Sequence, residues 1–209
     1  MSALLLRINP EKPNQKEIDE VVTCLRDGGV IIYPTDTVYG MGCDIYKQRA
    51  VERVCKLKGI NPEKANFSFI CADLSHLSDF TRPIDTHTFK LIKKALPGPF
   101  TFVLEANNNV PKLFNSKKKT VGIRVPDNKI CIEIVKHLGN PIMSTSVHDE
   151  DEIIEYTTDP ELIYEKYKNI VDIVIAGGYG NNEVSTVVDC TNGEYTVLRQ
   201  GLGALEDYL

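Results

Sequence analysis

The sequence predicts an α/β (α+β) protein, one mixed sheet with flanking helices. Three observations lead there. Short runs of β-branched and apolar residues alternate with amphipathic segments of helical period. Proline and glycine punctuate these runs where an element should stop. No segment repeats and no clean linker divides the chain, so residues 1–209 read as a single domain.

The elements follow in order. After an apolar lead over Leu4–Ile8, Asn14 is placed to cap a helix and Glu17 completes an N-x-x-E capping box. Ile18, Val21, Val22 and Leu25 form that helix's apolar stripe, and Gly28-Gly29 ends it. Val30–Tyr33 reads as a buried strand stopped by Pro34. A second helix over about Gln48–Lys58 turns Val51, Val54 and Cys55 inward, and Phe67–Cys71 reads as a strand. Thr86–Leu96 has helical spacing, with Phe89, Ile92, Lys93 and Leu96 in register before Pro97-Gly98-Pro99. Strands are expected at Phe100–Leu104 and Thr120–Val125, a helix over 128–138, and a strand at Ile142–Ser146. A helix over Pro160–Lys168 leads to a strand at Val171–Ile175. Ser185–Asp189 and Tyr195–Arg199 close the chain as strands, with Asn192-Gly193 as the hairpin signal between them.

Bulk chemistry narrows the function classes. A hydrophobic fraction of 42% supports a core, and 25% charged residues are ordinary for a globular protein. The formal net charge of −5 argues against a chain that coats a nucleic-acid backbone with its whole surface. Cys24, Cys43, Cys55, Cys71, Cys131 and Cys190 are scattered, with no C-x-x-C pair and no matching histidine spacing. They read as small buried hydrophobes in a reducing compartment, and no structural metal is expected. The apolar run in Met1–Arg7 is too short for a signal peptide, and no stretch nears the roughly 20 apolar residues of a membrane span. The expected location is cytoplasmic.

Four segments place polar residues at strand ends beside glycine or proline, where sheet proteins hold ligands. Pro34-Thr-Asp-Thr-Val-Tyr-Gly40 offers two hydroxyls and a carboxylate, with Gly40 and Gly42 allowing close backbone approach; an ordinary Asp/Thr turn accounts for it equally. Lys56-Leu-Lys-Gly59 ends a helix, where a lysine also complements the helix dipole. In Thr120-Val-Gly-Ile-Arg-Val-Pro126, alternation puts Thr120, Gly122 and Arg124 on one face, an arginine beside a glycine that leaves an anion room. Ser144-Thr-Ser146, Ser185-Thr186 and Arg199 complete the set. Lys58, Arg124 and Arg199 converging in an acidic chain point to a phosphate or carboxylate ligand. Neither G-x-x-x-x-G-K-[ST] nor G-x-G-x-x-G is present, so physical reasoning from the residues stops at an anion-binding α/β protein.

Five segments in this order resemble the YrdC/YciO superfamily. Pro34–Gly40 is similar to its P-T-[DE]-T-x-Y-G signature, and Leu96-Pro-Gly-Pro-Phe-Thr101 to its P-G-P-x-T segment. Val121–Pro126, Ser185–Asp189 and Val197–Gly201 resemble its V-G-[IV]-R-x-P, S-T-V-V-D and V-x-R-x-G segments. The resemblance implies a twisted sheet around a concave basic cavity. It implies an L-threonylcarbamoyladenylate synthase chemistry, in which ATP, L-threonine and bicarbonate give threonylcarbamoyl-AMP and pyrophosphate for tRNA modification. Mg2+ accompanies the ATP. Carried over, Thr35, Thr37, Arg124, Ser144 and Ser185 would bind threonine. Lys58, Asn66, Thr120, Ser146 and Arg199 would face the nucleotide, with Lys58 and Ser146 catalytic.

The chain departs from the synthase pattern at three places. Ile60 stands where a K-x-R pair has arginine, His148 where an S-x-N pair has asparagine, and Cys71 where a histidine usually ends the strand. An arginine–phosphate bond is worth about 1.5–3 kcal/mol, so its loss costs about one to two orders of magnitude in transition-state binding unless Arg53, Lys56 or Lys64 substitutes. These departures resemble the YciO-like branch and imply weak synthase activity. The alternative reading is a module that holds a nucleotide or double-stranded RNA without efficient turnover, with Lys117–Lys119 as an RNA-facing edge or an ordinary solvated loop.

Overall fold

The computed structural model describes residues 2–59, 67–114, 119–147 and 158–209. Among these residues ten strands form one twisted mixed sheet: β1 (Leu4–Arg7), β2 (Ile31–Tyr33), β3 (Gly40–Asp44), β4 (Ser68–Ile70), β5 (Phe100–Glu105), β6 (Thr120–Arg124), β7 (Ile142–Ser146), β8 (Ile173–Ala176), β9 (Thr186–Asp189) and β10 (Thr196–Arg199). Their order is β1-β8-β2-β3-β7-β4-β6-β5-β9-β10. The β1–β8, β8–β2, β4–β6 and β5–β9 pairs are parallel and the other five antiparallel.

The helices are α1 (Gln15–Arg26), α2 (Gln48–Leu57), α3 (Leu77–Phe80), α4 (Thr86–Ala95), α5 (Lys129–Leu138) and α6 (Pro160–Tyr167). Short polar side chains start most of them, because the first amide groups of a helix have no partner within it. Asn14 accepts from Lys16 N, Asp85 from His87 N and Thr88 N, Asn128 from Cys131 N, and Asp159 from Glu161 N. Gly139, at φ 84°, ends α5 in the left-handed conformation that a side chain would strain. No helix among the described residues is long and apolar enough to cross a membrane.

Two apolar layers sandwich the sheet unequally. On one face Phe69, Phe100, Phe102, Ile123, Met143 and Val174 pack with residues of α2, α3, α4 and α6. On the other, Ile31, Tyr33, Ile70, Ile142, Ile173 and Ile175 pack under α1 and α5. Strand alternation assigns these faces, since residues two apart share a side. The second layer stops near β4. Beyond it the same face of β6, β5, β9 and β10 carries no helix, and that bare half becomes the cleft described below.

The sequence expectations for α1, β5, β7 and the β9–β10 hairpin match these elements within two residues at each end. Two details differ. The buried side of α4 is Thr88, Leu91, Ile92 and Ala95, while Phe89 is 41% exposed, because the helix rotates its stripe by one position. β3 was not expected, since its glycines at 40 and 42 lower strand propensity while its neighbours β2 and β7 supply the ladder.

Phe69 anchors the larger layer, edge-on to Phe80 at 5.4 Å and to Phe114 at 5.2 Å between ring centroids. Phe69→Ala is expected to lower stability by about 3–5 kcal/mol in urea unfolding; a loss under about 1 kcal/mol would contradict this packing.

Candidate functional site: a cleft on the bare half of the sheet

The cleft has a volume of about 780 Å3, within the usual range for small-molecule sites. Its floor is one side of seven strands. A row of mostly small residues crosses it by register: Gly42, Ser144, Ser68, Gly122, Val103 and Asp189 are successive neighbours from β3 to β9. Small side chains there leave the floor low. A Cβ at Gly122 would lie 3.3 Å from both Phe67 O and Thr101 Cγ2, so this position is filled by its neighbours already. The charges on the walls are Arg82, Lys119, Arg124 and Arg199 with Glu105 and Asp189, and Arg82 pairs with Glu105 at 3.3 Å.

Arg124 is the centre of the site. It leaves the end of β6 nearly buried and its Nη2 donates to Thr35 Oγ1 (3.1 Å), Asp36 Oδ1 (2.5 Å) and Thr37 Oγ1 (2.7 Å). Three acceptors around one nitrogen are supplied by a single turn after β2. Thr35 Oγ1 also donates to Val38 O and accepts from Thr37 N, so its hydroxyl is saturated. Both threonines therefore lie beneath the cleft and hold Arg124; neither is part of the lining. Arg124 Nε and Asp36 Oδ2 are buried without a partner among the described residues. Arg124 also lines the cleft, where a guanidinium is suited to an oxyanion.

Arg199 reaches the same cleft by a β-bulge. Val197 opposes Val188 while Arg199 opposes Val187, so one extra residue is inserted and both Leu198 and Arg199 face the cleft. Its guanidinium donates to Ser185 O from Nε (3.2 Å) and Nη2 (2.8 Å), and no ion pair forms there among the described residues. Partial burial, and then the charge of Arg124, pull Arg199 below the usual guanidinium range. Two cations sensing each other without a shared carboxylate favour anion binding.

Ser185 Oγ lies 3.0 Å from Thr101 Oγ1, and Ser144 Oγ accepts from Tyr33. Thr120 and Ser146 line the cleft as the alternation predicts. Lys58 caps α2, half-buried, with its N–H on Val54 O, and is not among the lining residues described. Asn66, Ile60, Lys64, His148, Lys117 and Lys118 fall outside the described residues. Arg53 is no substitute for a missing phosphate ligand, because it is held by Asp172 (2.6 Å) and Ile170 O (2.6 Å). Cys71 is fully buried, and burial pushes its thiol up to about 12. No group of three or more His, Cys, Asp or Glu side chains among the described residues is arranged to hold a metal. Asp36 is the carboxylate that the Pro34–Gly40 segment offers, whereas nothing in the sequence singles out Tyr33 or Thr101 as a site residue. Thr101 was visible by alternation, sharing a face with Val103; Tyr33 was hidden because an aromatic before Pro34 reads as core.

Fold and site define a mixed α/β protein with an anion-suited cleft on half of one sheet face. The chain belongs to the YrdC/YciO superfamily: the family model Sua5_yciO_yrdC (Telomere recombination) matches residues 23–201. It is 41% identical over 205 residues to an uncharacterised protein of Haemophilus influenzae, with 97% of each chain covered. YciO of Escherichia coli K12 is 39% identical over 204 residues, again with 97% of each covered. A threonylcarbamoyl-AMP synthase of Coxiella burnetii is 29% identical over 180 residues, 86% of this chain and 95% of that one. The crystal structure of E. coli YciO superposes with a TM-score of 0.91 at 37% identity, covering 99% of this chain and 100% of that one. P. abyssi Sua5 complexed with L-threonine gives 0.88 at 25% identity, covering 98% of this chain and 59% of that one.

If Asp36 neutralises Arg124, Asp36→Ala leaves a buried charge unpaired and costs about 3–5 kcal/mol of stability. Thr120→Ala, on the open floor, should cost under about 1 kcal/mol. Chemical denaturation of both variants checks this, and similar small losses would contradict the pairing.

Proposed function

We propose that the cleft binds ATP and L-threonine and that the protein forms threonylcarbamoyl-AMP from them and bicarbonate, more slowly than a dedicated synthase. The observation that carries this reading is the pair Arg124 and Arg199 in one cleft, with Arg199 lacking an ion pair among the described residues. The relatives' names support the substrate class, since they include threonylcarbamoyl-AMP synthases and a Sua5 holding L-threonine.

On this reading the threonine amine takes up bicarbonate with loss of water, giving a carbamate. A carbamate oxygen attacks the α-phosphorus and pyrophosphate leaves. Carboxylate, carbamate and triphosphate repel one another, and closely placed cations offset that repulsion where charge develops. Arg124, Ser144 and Ser185 take the threonine end, positioned from below by Thr35 and Thr37. Thr120, Ser146 and Arg199 face the nucleotide, and the family resemblance assigns Lys58 and Asn66 to it as well. Magnesium would arrive on the triphosphate, which supplies most of its oxygen ligands.

Purified protein with ATP, L-threonine and bicarbonate should release pyrophosphate in a threonine-dependent manner, above a Lys58→Ala control. Binding of both ligands without release would leave a nucleotide-binding module; no binding of either sinks the reading. Restoring the polar groups at the two departures, Ile60→Arg with His148→Asn, should raise the rate by about one to two orders of magnitude. An unchanged rate with intact fold would point to another substrate.

A further inference from the structure

We propose that Tyr33 is a positioning residue that fixes the Ser144 hydroxyl as a donor into the cleft, so that the subsite of Ser144 and Arg124 takes an acceptor-only group, the carboxylate of an amino acid. Tyr33 is fully buried at the end of β2, on the same sheet face as Ser144 of β7. Its hydroxyl donates to Ser144 Oγ at 2.5 Å, the partner the structure gives it. A phenol has one hydrogen, and leaving it unmade in the interior would carry the full desolvation penalty. Burial also pushes the Tyr33 hydroxyl far above its ordinary range, so it remains a donor.

A serine hydroxyl has one hydrogen and two lone pairs. With a lone pair engaged from below by Tyr33, Ser144 turns its own hydrogen toward the cleft that it lines. The backbone is shaped around this pair. A Cβ at Gly40 would lie 2.9 Å from Tyr33 Cζ and 3.1 Å from Ser144 Oγ, so glycine at that position lets the two side chains meet. Arg124 is the cation of the same neighbourhood, and its charge acts on Tyr33. Guanidinium and serine then both present hydrogens. An ammonium or amide NH2 placed there would meet hydrogen against hydrogen, whereas a carboxylate satisfies both.

Naming threonine as the source of that carboxylate rests on the proposed function, while the donor arrangement rests on the geometry alone, and the test separates them. Ser144→Cys puts a thiol in place of the hydroxyl, and its titration is followed by thiolate absorbance in ligand-free protein, with and without Tyr33→Phe. Burial raises all six native thiols, so they stay silent at lower pH. A donating Tyr33 stabilises the thiolate, so Tyr33→Phe should raise the introduced thiol's pKa by about one unit, a ten-fold change in ionisation. Equal pKa values in the two variants would overturn the assignment. Calorimetry should show wild type preferring L-threonine to L-threoninamide by about ten-fold or more, shrinking several-fold in Tyr33→Phe, with ATP affinity unmoved. Equal affinity for acid and amide in wild type overturns the acceptor-only subsite. A Tyr33-dependent thiol pKa without L-threonine binding supports the Tyr33 arrangement and overturns the threonine reading.

Discussion

A single buried guanidinium organises this protein's cleft. A guanidinium buried as deeply as that of Arg124 would be prohibitively costly on its own. The turn after β2 answers with one carboxylate and two hydroxyls, all on the same nitrogen. That turn is thereby tied to β6, which lies four places away across the sheet, through β3, β7 and β4. The tie fixes the loop, the loop places Gly40, and Gly40 opens the space in which Tyr33 meets Ser144. Clamp and floor are one mechanical unit.

The second constraint is the unequal cover of the sheet. α1 and α5 supply enough apolar surface for the strands from β8 to β4, and there the face is isoleucine and tyrosine. From Ser68 of β4 onward the same alternation positions hold Ser68, Gly122, Thr120 and Thr101, which need no lid. Polar residues tolerate a wet face, and small ones keep it concave, so the boundary between helix-covered core and cleft is written in side-chain size. The opposite face stays apolar throughout, with Phe100 and Phe102 behind Thr101 and Val103, and anchors the cleft strands firmly.

Much of this is legible in the sequence itself. Alternation in Thr120–Arg124 predicted that Thr120, Gly122 and Arg124 share one side of β6, and that side lines the cleft, because strand geometry admits only two sides. The helices were readable from their stripes and caps, except for the rotation that exposes Phe89. Arg199 shows where such reasoning ends. Strict alternation from Thr196 would send it to the back face, and the bulge after Val197 that returns it is a property of the paired strands, not of the segment. Thr35 and Thr37 also accept from Arg124, 87–89 positions away in sequence, a pairing beyond any local pattern.

The family resemblance and the geometry meet at the same place, a cleft lined by Arg124 and Arg199, where the proposed function seats an oxyanion. Titration calorimetry of L-threonine with a non-cleavable α,β-methylene ATP analogue, on wild type and Arg124→Lys, tests that claim directly. Lysine keeps the charge but lacks the planar fork, so threonine affinity should fall by at least about ten-fold while the analogue binds nearly as before. Equal threonine affinity in the two proteins would contradict the account, because Arg124 would then be a buried structural cation and not the seat of the ligand.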